Sequence, residues 1–131
     1  MKSSEHSLSG NSMQVDHLVS SVARALSTAG VSVKMVLRCQ LIVEEIATNA
    51  MRHGGASDVC VTAVVGERIR LDIRDDGAAF DPFSAPTPDV SLNLDQRSVG
   101  GLGLHLIRSW NSVTHYARDG RFNITSVELG P

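Results

Sequence analysis

From Met13 onward the apolar residues Val15, Leu18, Val19, Val22 and Leu26 recur at the i, i+3, i+4, i+7 spacing of an amphipathic helix. Gly30 suits the position just past its end. Ser32 then offers an N-cap to a longer helix reaching about His53. Its apolar residues Val36, Cys39, Ile42, Val43, Ile46, Ala47 and Ala50 cover a wide face, so this helix is expected to be largely buried, and Gly54-Gly55 ends it. The pattern then shortens to period two. Val59 to Val65 is rich in β-branched residues, and Arg68 to Asp75 alternates polar and apolar across a short Gly66-Glu67 connection, predicting an antiparallel hairpin. Residues 77–100 form a long loop with three of the four prolines. Gly101 to Asn111 reads as a helix opening on glycines, and two strands, Ser112–Arg118 and Phe122–Leu129, join across Asp119-Gly120. Polar, Ser-rich residues 1–12 are either an edge strand or a disordered lead-in. The order predicts an α+β two-layer sandwich, a mixed, mostly antiparallel sheet with helices packed on one face.

The length of 131 residues is that of a single domain, 1–131. Hydrophobic residues make up 42% and aromatics only 4%, so the core must be aliphatic. Twelve basic against 14 acidic residues give a net charge of −2, which argues against direct nucleic-acid binding through phosphate neutralisation. No run approaches the roughly 18 apolar residues of a membrane span, and the start MKSSEHSLSGNS has no apolar stretch behind its lysine. Cys39 and Cys60 fall in a helix and a strand without metal-type spacing, as expected of reduced core thiols in a cytoplasmic protein. His105 and His115 have no metal-ligand spacing either, so no zinc site is assigned.

Three clusters carry candidate chemistry. Glu45 and Asn49 are four residues apart on the buried helix, one turn apart on one face. Oxygen ligands of this kind suit Mg²⁺ shared with phosphates, although in isolation the pair favours a simply solvated Glu45. Asp75-Asp76-Gly77 ends a half-buried strand. It is either an Asx-type turn or a carboxylate presented to a ligand's exocyclic amine, with glycine allowing close approach. Gly100-Gly101-Leu102-Gly103-Leu104 leads into a helix, where free backbone N–H groups and the helix dipole receive phosphate oxygens.

In this order and spacing the three clusters resemble the N box, D-x-G box and G-x-G box of the GHKL (Bergerat-fold) ATPases. They are most similar to the short bacterial anti-sigma factor and serine-protein kinase family of partner-switching systems. The resemblance rests on Glu45 to Gly54 (EIATNAMRHG), Asp75 to Pro82 (DDGAAFDP) and Gly101 to Ile107 (GLGLHLI), and extends from about residue 7 to the end. It implies a Bergerat fold in which Glu45 is the catalytic general base and Asn49 holds Mg²⁺ through the phosphates of ATP. Asp75 and Gly77 would receive adenine, and Gly101, Gly103 and Leu104 would complete the nucleotide site. Residues of about 80–100 would be the ATP lid, with Arg97 within it. The sequence departs from the family in Ala79, which replaces a glycine, and in Gly120 to Thr125, which replaces the usual Gly-Thr entry to the last strand, so no role is given to Thr125.

The implied activity is that of a Mg·ATP-dependent protein serine kinase and anti-sigma factor. It would phosphorylate a STAS-domain anti-anti-sigma protein, sequester a sigma factor and act as a cytoplasmic homodimer, without membrane or direct nucleic-acid contact. The alternative is a nucleotide-gated binding protein with no significant kinase activity. His53, where the family carries a His-Gly after the N box, is read as either a packing residue or a ligand contact, and Trp110 as a core or interface anchor.

Overall fold

The computed structural model describes residues 2–9, 14–84, 101–110 and 112–130. The elements in chain order are β1 (Lys2–Ser9), α1 (Val15–Thr28), α2 (Val33–Gly54), β2 (Asp58–Val65), β3 (Ile69–Asp75), α3 (Gly101–Ser109), β4 (Ser112–Asp119) and β5 (Phe122–Leu129). Every element expected from the sequence is present, and of the two readings of the first residues the edge strand holds. Most of the expected lid, with Arg97, lies outside the described residues.

The five strands pair in the order β1-β2-β3-β5-β4, antiparallel at every step. One face is apolar because the pleat sends alternate residues to the same side. Leu8, Val59, Val61, Ala63, Leu71, Ile73, Val127 and Leu129 are all buried on it. Against them lie the apolar stripes of the helices, Leu18, Val22 and Leu26 from α1 and Cys39, Ile42, Val43, Ile46 and Ala47 from α2. The register sets Asp75 at the end of β3 between Val59 of β2 and Asn123 of β5. Asp75, Asn123 and Thr125 occupy inward positions where the other strand residues are aliphatic, yet are 4%, 2% and 1% exposed. Polar groups so placed must be hydrogen-bonded or held for a ligand.

The ends of α2 fix where that polar corner meets the helix layer. Ser32 is extended and its hydroxyl accepts from the Met35 N–H at 3.3 Å, which starts the helix. Gly55, at φ +68°, turns the chain out, and the Ala56 N–H returns to the Ala50 carbonyl at 3.0 Å. The two cysteines differ. Cys39 is fully buried, and burial pushes its thiol up to about 12. Cys60 is only half-buried and lies on the opposite sheet face, so it is not the core thiol its apolar neighbours suggest, because period two alternates sides within the same β-rich run. No helix among the described residues is long and apolar enough to cross a membrane.

Candidate functional site

Asp75 is held by its own turn and by the neighbouring strand. Its Oδ1 accepts from the Gly77 N–H at 2.9 Å and from Asn123 Nδ2 at 2.9 Å. Both bonds fall on Oδ1, so Oδ2 is the oxygen left for an incoming donor. Asn123 is the hub of the corner. Its Nδ2 also donates to the Ala78 carbonyl at 2.9 Å, while its Oδ1 accepts from Arg118 Nη1 at 3.1 Å, from the Phe80 N–H at 3.3 Å and from the Tyr116 hydroxyl. Donors converge on one side of the amide and acceptors on the other, which fixes its orientation. Arg118 Nη1 additionally donates to the Gly77 carbonyl at 2.7 Å. The tip of the β4–β5 hairpin thus clamps the D-x-G turn.

Gly77 is needed here for packing. A Cβ built on it would stand 2.9 Å from the Gly54 carbonyl oxygen and 3.0 Å from Asp75 Oδ1. The Ala78 N–H donates to the same Gly54 carbonyl at 2.8 Å, which ties the turn to the C-terminus of α2. Asp76 points the other way and caps the start of β2, its Oδ1 accepting from Ser57 and Asp58 N–H groups at 2.8 and 3.0 Å. These bonds hold its carboxyl below the usual range, chiefly through the Asp58 N–H. The Asx-turn reading of this stretch holds for Asp75 itself, whose Oδ1 accepts from the N–H two residues on.

The structure brings Asn49, Asp75, Asn123 and Thr125 around one small cavity of about 10 Å³, with Phe80 and Pro82 closing its side. Asn49 is 5% exposed on the inward face of α2. Thr125, given no role from the sequence, shares this lining. Asn123, Tyr116 and Arg118 were missed as site residues. A signal existed for Asn123, an amide at a position where its strand alternates toward aliphatic inward residues, but it becomes readable only once the register with Asp75 is known. The cavity is too small for a purine ring, and Phe80 and Pro82 are among the residues that line it. His53 stays outside, its ring 6.2 Å from that of Phe80, in keeping with a packing role.

Glu45 does not line this cavity. It lies one turn before Asn49 on α2, half-buried, and among the described residues no hydrogen bond reaches its buried Oε2. Burial pushes its carboxyl up to about 7, with the Glu44 charge adding to the rise and the Arg52 charge opposing it. A solvated surface glutamate would show neither feature. Gly101 begins α3 and Gly103 follows in its first turn, as the sequence reading requires. Leu104 is buried in the core at 6% exposure, so its part in a nucleotide site falls to its backbone N–H. Trp110 is partly buried against the core, with the Arg38 guanidinium 4.9 Å from its ring centroid.

A buried carboxylate at a strand end, a glycine pressed against a helix C-terminus, an inward Asn on that helix and a glycine-opened helix form the donor set expected of an ATP site. The orphaned Glu45 oxygen and the unspent Asp75 Oδ2 fit it. The serine/threonine-protein kinase BtrW of Bordetella bronchiseptica is 32% identical over 85 residues, 63% of this chain. The match spans 60% of that relative's length. Among solved structures, the histidine kinase AdeS of Acinetobacter baumannii superposes with a TM-score of 0.52 at 15% identity, over 95% of this chain and 66% of that one. The blue-light activated histidine kinase of Erythrobacter litoralis gives a TM-score of 0.53 at 17% identity, over 88% of this chain and 41% of that one. Likeness at those identities concerns the fold, and it agrees with the sheet and helix layers seen here. Residues 8–128, which include all three motifs and the strands that support them, match the histidine kinase-like ATPase domain, and the chain belongs to that family.

Proposed function

We propose that the protein is a Mg·ATP-dependent protein serine kinase and anti-sigma factor. In this reading it phosphorylates a STAS-domain anti-anti-sigma protein and sequesters a sigma factor as a cytoplasmic homodimer. The observation that carries it is Glu45. A buried carboxylate oxygen with no hydrogen-bond partner among the described residues, with a pKa near neutrality and one turn from an inward Asn, is suited to general-base work. The name of the Bordetella relative supports serine/threonine chemistry.

Asp75 Oδ2 would accept from the adenine amino group, with Asn123 and Gly77 holding Oδ1 away from it. Asn49 would hold Mg²⁺ together with the phosphates, and the N–H groups of Gly101, Gly103 and Leu104 would receive phosphate oxygens. Bound Mg²⁺ supplies charge stabilisation of the transferring phosphoryl group. The partner's serine hydroxyl gives its proton to Glu45 as its oxygen bonds the γ-phosphorus, and the bond to ADP breaks.

The test is transfer of γ-labelled phosphate from Mg·ATP in a lysate of the native host, comparing the wild type with Glu45→Gln. A small phosphoserine-labelled protein that appears only with the wild type supports the proposal. Transfer that survives the substitution refutes the base assignment. The closed cavity beside Phe80 and Pro82 favours one other reading, a binding protein whose partner surface changes when nucleotide moves that segment. Absence of label with ATP bound in the same sample selects it.

A further inference from the structure

The opposite end of the sheet holds a second concavity, between the first half of β1 and the last turns of α1. Its volume is about 410 Å³, within the range of small-ligand pockets. Six residue steps of β2, from Val59 beside Asp75 to Val65 beside the cleft, separate it from the nucleotide corner by about 20 Å. A helix packed on an edge strand is expected to meet it through aliphatic side chains. Here the floor is apolar, with the half-buried Ala25 and Ala29 at the end of α1 and Val65 at the end of β2, but the walls are not. Lys2 and Arg24 line it from opposite elements, and among the described residues no Asp or Glu does, on a chain whose net charge is −2.

The centre of the wall is His6, which spans strand and helix. Its Nδ1 lies 2.6 Å from the Ser21 hydroxyl and its Nε2 lies 2.9 Å from the Ser4 hydroxyl. Burial lowers its pKa below the ordinary histidine value, so the ring is neutral at pH 7. A neutral imidazole has one N–H. It donates to one serine and accepts from the other, whichever tautomer is present. Of the three protons in this bridge two are used, and one serine O–H is left over. The cleft therefore combines an apolar floor, two cationic side chains and a spare hydroxyl donor beside an imidazole, with no acid among the described residues to neutralise them.

We propose that this cleft is a binding site for a small organic acid anion, its apolar body on Ala25, Ala29 and Val65 and its carboxylate between Arg24, Lys2 and the serine–histidine bridge. The site is separate from the nucleotide corner and does not depend on what that corner does.

The test is titration of the isotope-labelled full chain with benzoate, followed by backbone amide shifts, with benzyl alcohol as the uncharged probe of the same shape. Saturable shifts are expected at Ser4, His6, Ser21 and Arg24 with benzoate and not with benzyl alcohol. Arg24→Gln, on the exposed side of α1, should weaken binding about tenfold, and Lys2→Gln several-fold, with amide shifts elsewhere unchanged. Three results would overturn the proposal. They are no saturable shift, equal binding by benzyl alcohol or by Arg24→Gln, and shifts centred on Asp75 and Gly77 that Mg·ATP displaces. The last places the anion in the nucleotide corner and leaves that assignment standing.

Discussion

Asp75 and Glu45 are the two candidate-site carboxylates, the first on the sheet and the second on α2, and their surroundings differ in kind. Asp75 has a strand on each side, and its Oδ1 carries two hydrogen bonds, one of them from an amide that is itself held at both ends. Glu45 has a buried oxygen with no described partner. The sheet side is already in the geometry it needs, whereas the helix side retains an unmet demand. A group that recognises a ligand gains from being fixed in advance, since no ordering is left to oppose binding. A base must exchange a proton, and a carboxylate saturated with donors would be too weak a base to take one.

Removing the base tests the helix side of this contrast and should have the largest effect. Glu45→Gln keeps the shape of the side chain and loses the proton acceptor, so phosphoryl transfer should fall about 10²- to 10⁴-fold with ATP affinity nearly unchanged. Wild-type transfer should rise with pH through about 7, where the carboxyl ionises. A rate that is flat from pH 6 to 8 would disconnect Glu45 from the proton step.

Breaking the sheet side should instead damage stability and nucleotide binding together. Asn123→Ala leaves Asp75 Oδ1 and the Ala78 carbonyl each short of a donor, at a cost of about 2–3 kcal/mol. Asn123→Asp should be at least as harmful, because it sets an acceptor 2.9 Å from an acceptor. Denaturant unfolding and ATP titration check both, and an Asn123→Ala protein that binds ATP like the wild type would remove Asn123 from the site. Gly77→Ala follows, with its Cβ 2.9 Å from the Gly54 backbone carbonyl, which cannot swing aside. The turn must shift, destabilising by about 1–2 kcal/mol and weakening ATP several-fold.

The same contrast explains what the sequence made legible. Helices α1 and α2 carry their periodicity and terminating glycines, and α2 also its Ser32 cap, within a single stretch of chain, and their ends are legible to within about two residues. Glu45, Asn49, Asp75 and Gly77 stand in local patterns and are legible as candidates. Asn123 is not, because its role exists only through the pairing of β5 with β3, nearly fifty positions away, and Tyr116 and Arg118 on β4 act through Asn123. Cys60 failed for a related reason, since composition shows a strand but not which of its faces is covered. Interactions that cross long sequence separations are fixed by register, and register is the part of this fold the linear pattern expresses least.

The smallest expected effect is the one that separates a functional carboxylate from a structural one. The folded protein raises the Glu45 pKa to about 7 from its ordinary 4.5. Between those values the native state binds more protons at this site than the unfolded chain, so stability falls as pH rises through the window and stays low above it. Glu45→Gln cannot ionise, and above pH 7 it should be more stable than the wild type by about 1 kcal/mol after allowance for solvent screening, a few degrees in Tm. Below about pH 4.5 the two should melt together. Carboxylates retained for packing or pairing show the reverse sign, as Asp76 should, its pKa held down by N–H donors at the start of β2. A Glu45→Gln protein less stable than the wild type at pH 8 would mean that the carboxylate has a partner in the folded state. The poised, unmet charge on α2 would then be lost as the basis for distinguishing it from Asp75.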